Sequence, residues 1–164
     1  MKIEEYNPDK PSYYVSPANS LCFIDSGIDY SLSRIIFPGI ENMVKSKLTK
    51  YGKRNLFGRQ YLPIGSSIII PYDENRNLVV APTMLLPQNV SKTNNAYYAT
   101  MAVLYNVLMN NQNISFDSVD ILLTSMCCGF GIMDVDTSIN QILRAICDYK
   151  MYKPSFLCRN VLIS

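Results

Sequence analysis

The chain has 164 residues, 48% hydrophobic and 17% charged, with a formal net charge of +2; a single domain of this size buries roughly 70% of its unfolded surface and needs neither disulfide nor metal for a core. Histidine is absent, which excludes Ser-His-Asp and Cys-His catalysis and His-ligated metals and leaves acid–base work at neutral pH to carboxylates, Lys, Tyr, Cys or the substrate. The small net charge argues against nucleic acid or an anionic membrane as partner, no apolar run reaches the ~20 residues of a membrane span, and five cysteines without a CxxC pair or a leader-like start fit a reducing, cytoplasmic setting with no structural zinc.

In chain order, residues 1–12 are weakly organised, with Pro8 and Pro11 interrupting any longer element. Tyr13–Ser16 is β-prone and apolar and reads as a buried strand. A loop, Pro17–Gly27, leads into a helix from about Ile28 to Phe37, whose Ile28, Leu32, Ile35 and Ile36 fall at helical spacing. Pro38-Gly39 ends it, and Ile40–Tyr51 is a second helix with Ile40, Met43, Val44 and Leu48 inward and Lys45, Lys47 and Lys50 outward. Gly52–Gly65 is a basic surface loop whose charge run reads as a solvated face.

Ser66–Pro71 and Leu78–Ala81 are strands, adjacent or paired as a hairpin around the turn Asp73–Asn77. Thr93–Asn111 is the longest helix, with Tyr97, Met101, Leu104, Tyr105 and Leu108 marking its apolar face and Asn94 and Asn95 as its cap. Val119–Thr124 is apolar on both faces and reads as a central strand. Asp134–Tyr149 is a helix with Ile139, Ile142, Leu143 and Ile146 inward, and residues 150–164 form a tail able to dock or add an edge strand. Strands alternating with helices predict one α/β domain over residues 1–164, with its core at about 13–149: a three-layer α/β/α sandwich around a mixed, largely parallel sheet.

Two loops leave strands and enter helices, where open α/β sheets place ligands. The first carries Asn19, Asp25, Gly27 and Asp29. The second runs Thr124-Ser125-Met126-Cys127-Cys128-Gly129-Phe130-Gly131-Ile132-Met133. Gly129 and Gly131 there permit positive φ and leave backbone N–H groups uncovered, as an anion nest requires. The loop is neither a Walker loop nor a full dinucleotide fingerprint. Plainer roles stand beside these: Asn19 closing a turn, Asp29 favouring a helix start, and Cys127 and Cys128 as loop packing or, at a helix N-terminus, a reactive thiol.

Taken together, Ser16-Pro17-Ala18-Asn19-Ser20, Asp25-Ser26-Gly27-Ile28-Asp29, Ala81-Pro82-Thr83-Met84, Val90-Ser91-Lys92-Thr93-Asn94-Asn95-Ala96-Tyr97 and Cys128-Gly129-Phe130-Gly131 resemble, in order and spacing, the macro domain. The likeness is to a divergent branch of this ADP-ribose-binding family and runs from about Tyr13 to Tyr149. It implies that Asn19 bonds the distal ribose and that Ser26, Gly27 and Ile28 lie against diphosphate and ribose. It implies that Ser125, Cys127, Cys128, Gly129, Gly131 and Ile132 wrap the diphosphate, with Phe130 on the distal ribose. The family's Gly-Asp-Ile, whose Asp holds adenine, is matched only by Glu4-Glu5-Tyr6, which leaves Glu5 for that contact, and the strand before that motif is absent from the pattern.

What the resemblance implies for function is binding of ADP-ribose or a derivative. Asp29, at the catalytic position of the hydrolase members, and Asn19 would serve turnover of a mono-ADP-ribosyl ester, acetylated ADP-ribose or ADP-ribose phosphate, with no metal or cofactor. The alternatives are a non-catalytic reader of ADP-ribosylated proteins or nucleotides, and an interaction protein with a degenerate pocket.

Overall fold

The computed structural model describes residues 2–23, 28–111, 119–152 and 160–163. Its main sheet contains β1 (Ser12–Ser16), β4 (Ile68–Pro71), β5 (Arg76–Val80), β6 (Asp120–Leu123) and β7 (Asn160–Ile163) in the order β4-β5-β1-β6-β7. All neighbours are parallel except β4, which folds back antiparallel on β5. The sheet is therefore mixed and largely parallel, as the sequence implies, and the tail supplies an edge strand.

Period-two alternation divides the strand side chains between two cores. Tyr13, Val15, Val79, Ile121 and Leu123 face one way, against Ala99, Val103 and Val107 of α3 (Asn95–Asn110) and Ile142 and Ile146 of α4 (Val135–Tyr152). Tyr14, Leu78, Val80 and Leu122 face the other way. They meet Leu32 and Ile36 of the π-helical turn Leu32–Ile36 that continues α1 (Ile28–Ser31), Phe37 just after it, and Ile40 and Val44 of α2 (Ile40–Tyr51). Helices on both faces of one sheet give the three layers.

Several local expectations shift. The first helix keeps α geometry for one turn only and then widens into the π turn. Within Gly52–Gly65, β2 (Lys53–Arg54) and β3 (Gln60–Tyr61) form a short antiparallel hairpin where a loop was expected. On α3 the small residues Ala96, Ala99, Ala102 and Val103 are buried, while Tyr105 is exposed. On α4 Leu143 is exposed, whereas Ile142 and Ile146 are buried. An α3 that is apolar nearly all round gives periodicity little to act on, and small side chains let the helix approach its neighbours closely.

Residues 2–11 are better held than their composition suggests. Ile3–Glu5 forms a 3₁₀ turn, the Tyr6 hydroxyl donates to the buried Asp120 carboxylate, and Lys10 Nζ pairs with the same group at 3.1 Å. Among the described residues, no helix is long and apolar enough to cross a membrane.

Candidate functional site

Beyond Ser16 the chain runs alongside the segment that leaves β5. The Ala81 and Thr83 N–H groups donate to the Ser16 and Ala18 carbonyls at 3.0 Å, and the Ser20 N–H donates to the Met84 carbonyl at 2.8 Å. These bonds extend the pairing past the sheet edge and fix Asn19 beside Met84. The Asn19 Oδ1 accepts from the N–H groups of Leu21 at 3.0 Å and Phe23 at 3.4 Å, which closes the turn. Its Nδ2 donates to none of the described residues, so one end of the amide holds the loop and the other is left for a ligand.

Asp29 lies in the single turn of α1 and is buried. Its Oδ1 accepts from the Ser16 hydroxyl at 2.6 Å, which couples the strand end to the helix start.

The second loop is anchored at both ends. The Ser138 hydroxyl on α4 accepts from the Met126 N–H at 2.8 Å and donates to the Met126 carbonyl at 2.6 Å. Asp134 caps α4 by accepting from the Thr137 N–H at 3.0 Å. Between these anchors, the Met133 N–H returns to the Cys127 carbonyl at 2.9 Å and the Ile132 N–H to the Gly129 carbonyl at 3.1 Å. The N–H groups of Cys127, Cys128, Gly129, Phe130 and Gly131 find no acceptor among the described residues. Five successive unspent donors are what an anion nest is made of.

Positive φ does not fall on Gly129 or Gly131 as expected; it falls on Cys127 at 66° and Ile132 at 58°. A β-branched residue in that region is strained, and such strain gathers at ligand-binding turns. Gly131 is required for closeness instead: a Cβ there would lie 2.4 Å from the Cys127 carbonyl oxygen and 2.8 Å from Val90 Cγ2. The Asn94 side chain also departs from the expected cap, making no bond to the start of α3 and accepting from Arg144 at 3.4 Å; Asn95 Nδ2 donates to the Thr83 carbonyl at 2.8 Å.

Both loops open on one cleft of about 1210 Å³. Asn19, Ile28 and Asp29 from the first loop and its helix, and Ser125, Cys127, Cys128, Gly129, Phe130 and Ile132 from the second, all line it. Gly131, within the second loop, is buried and does not line the cleft. Ser26 and Gly27 lie outside the described residues. Glu5 does not line the cleft; its carboxylate accepts from the Lys2 N–H at 3.3 Å in the N-terminal turn.

Sequence reasoning missed Phe23, Thr83, Leu86, Pro87 and Thr124 as lining residues. The signal for Leu86 was a pair of large apolar residues, Leu85-Leu86, outside any strand or helix. Phe23, Leu86, Phe130 and Ile132 all remain about half exposed or more and give the mouth apolar walls suited to a ring. Among the described lining residues Asp29 is the only charged one and none is a cation, so an anion entering here would be held by backbone N–H groups and neutral side-chain donors.

Burial pushes the Cys127 thiol up to about 11, and burial, aided by the Asp29 charge, pushes Cys22 up to about 12. Both stay protonated at neutral pH, which removes Cys127 as a reactive thiolate. Among the described residues, no three His, Cys, Asp or Glu side chains group to hold a metal ion.

No family model and no curated protein sequence matches this chain. Solved structures do match. The macrodomain of Mycobacterium tuberculosis DarG superposes with a TM-score of 0.67 at 14% identity, over 99% of this chain and 93% of that one. A mutant Oceanobacillus iheyensis macrodomain with ADPR gives 0.67 at 14% identity, over 95% and 79%. The Trypanosoma brucei macrodomain in complex with ADP-ribose gives 0.63 at 10% identity, over 94% of this chain and 56% of that one. At such identities the likeness speaks for architecture alone, and that architecture is the macrodomain fold.

Proposed function

We propose that the cleft binds ADP-ribose or a derivative of it. The observation that carries this reading is that Asn19 and the unspent N–H run Cys127–Phe130, distant in sequence, border one hollow. A diphosphate needs several donors and no countercharge when a nest supplies them. Asn19 Nδ2 offers a donor for a ribose hydroxyl, and Phe23, Phe130 and Ile132 offer surface for the sugars and the base. The macrodomains solved with ADP-ribose support the choice of ligand. Calorimetry with ADP-ribose tests it: saturable heat with one site per chain is expected, and no heat at millimolar ligand from folded protein overturns it.

A second reading, turnover of the bound ligand, is favoured by the position of Asp29. Asp29 lines the same cleft as the second loop. There it would position a water for attack on an ADP-ribosyl ester, an acetyl group or a terminal phosphate, with the N–H run stabilising the charge that develops. The measurement that separates this from a reader of ADP-ribosylated targets is product release from such a substrate by the unmodified protein.

A further inference from the structure

The net charge of +2 conceals a segregation. From Asn42 to Tyr72 the sequence holds six cations, Lys45, Lys47, Lys50, Lys53, Arg54 and Arg59, and no Asp or Glu. That segment carries +6, and the 9 other cations and all 13 acids leave the rest of the chain at −4.

The fold puts Lys53, Arg54 and Arg59 on the β2–β3 hairpin and its turn. Gln60 Nε2 donates to the Thr49 carbonyl at 2.6 Å and ties the hairpin to the end of α2, where Lys47 and Lys50 flank the Tyr51 ring at 5.3 and 5.1 Å. At the hairpin tip Leu56 is 101% exposed and Phe57 90%. The turn beneath them is built. Asn55 Oδ1 accepts from the N–H groups of Phe57 and Arg59, both at 3.0 Å, its carbonyl accepts from the Gly58 N–H at 3.0 Å, and Gly58 takes φ 73°. The two largest apolar exposures among the described residues thus stand side by side on a hydrogen-bonded knob whose flanking residues are Lys53, Arg54 and Arg59.

We propose that this hairpin docks on an anionic lipid surface. Leu56 and Phe57 enter the boundary between headgroups and acyl chains, and Lys53, Arg54 and Arg59, backed by Lys47 and Lys50, lie among the lipid phosphates. A tip that pairs one aliphatic with one aromatic side chain favours lipid over single-stranded nucleic acid. Leu56 has no ring on which a base could stack, and the knob is convex where strand binding calls for a groove with a row of aromatic platforms. This surface makes no use of the ADP-ribose cleft, and the two readings stand or fall separately.

The chain contains no Trp, so Phe57→Trp creates a single reporter at the tip. With phosphatidylcholine vesicles containing phosphatidylserine, its emission shifts to the blue and becomes shielded from aqueous iodide; with pure phosphatidylcholine the response is far weaker. Placing Lys53→Gln, Arg54→Gln and Arg59→Gln in that background lowers partitioning by about fivefold per cation, about a hundredfold together. Leu56→Asp abolishes the blue shift, with thermal unfolding near the parent's in both variants. Three results overturn the proposal: no blue shift with either vesicle; an equal shift with both; or quenching by single-stranded RNA without a vesicle response, which gives the face to nucleic acid.

Discussion

Ser16, the last residue of β1, donates its hydroxyl to the buried carboxylate of Asp29 at 2.6 Å. The bond joins the strand that begins the first loop to the helix that ends it, so the loop closes on a fixed span. Ser16→Ala is expected to cost about 1.5–3 kcal/mol in chemical unfolding, as loss of a hydrogen bond to a charged group does. Asp29→Asn keeps the shape of the side chain. ADP-ribose affinity is expected to hold within about threefold, while any turnover falls by about a hundredfold or more, measured by calorimetry and by product release.

Asn19 has two separable ends. Asn19→Asp retains the oxygen that accepts from Leu21 and Phe23 and removes the Nδ2 donor. Stability is expected to change by less than about 1 kcal/mol, while ADP-ribose affinity drops at least tenfold. Asn19→Ala loses both ends and costs about 1–2 kcal/mol of stability as well. Equal affinity in the Asp variant would confine Asn19 to the turn.

Gly129 and Gly131 should respond unequally to the same change. A Cβ on Gly129 meets nothing within 4 Å, so Gly129→Ala is expected to shift stability by no more than about 0.5 kcal/mol. Gly131→Ala drives a methyl against the Cys127 carbonyl and is expected to cost about 1–3 kcal/mol. Because the clash displaces the turn that presents the free N–H groups, ADP-ribose affinity should fall with it.

Ile132 holds φ at 58° while 64% exposed, so little buried contact offsets its strain. Ile132→Asn places a residue that tolerates this region there, and thermal unfolding should show a gain of about 1 kcal/mol. The apolar wall of the cleft is lost, so ligand affinity should fall as stability rises.

Alkali should destabilise the fold through its buried thiols. Cys127 and Cys22 ionise at about 11 and about 12 when folded, against 9.0 as the reference. A raised folded value means the contribution is fully present below pH ~9 and is lost as pH climbs through the folded values. Denaturant unfolding followed from pH 8 to 11 should show that loss, about 2–3 kcal/mol for Cys127. Cys127→Ser should flatten the slope.

The strands were legible because their side chains alternate cleanly: Tyr13, Tyr14 and Val15 already state which face each will take. The helices were legible as helices and less so in orientation. α3 offers apolar residues on nearly every side, and choosing the largest put Tyr105 inward, where Ala99, Ala102 and Val103 belong. The hairpin at Lys53–Tyr61 escaped notice because two-residue strands carry too little alternation to register. At the cleft, residue types named the loops, but not which members would carry the strain. Cys127 and Ile132 hold positive φ in a loop tied across itself by Met133 N–H to the Cys127 carbonyl and to α4 by Ser138 at Met126, bonds that residue types alone do not announce. Phe23 gave no local sign of its place at the mouth, and Leu86 only the apolar pair it forms with Leu85.

The central strand β1 pairs with β5 from Ser12 to Arg76 and with β6 from Ser12 to Asp120. At ribosomal speeds of roughly 5–20 residues per second, Tyr13–Val15 therefore emerges and waits roughly 5–20 s for its second neighbour. Through that interval a short, wholly apolar β-segment stands with an open margin in the nascent chain. A slower ribosome lengthens that interval, so the yield of native protein in a cell should depend on translation rate and on chaperones that cover the margin.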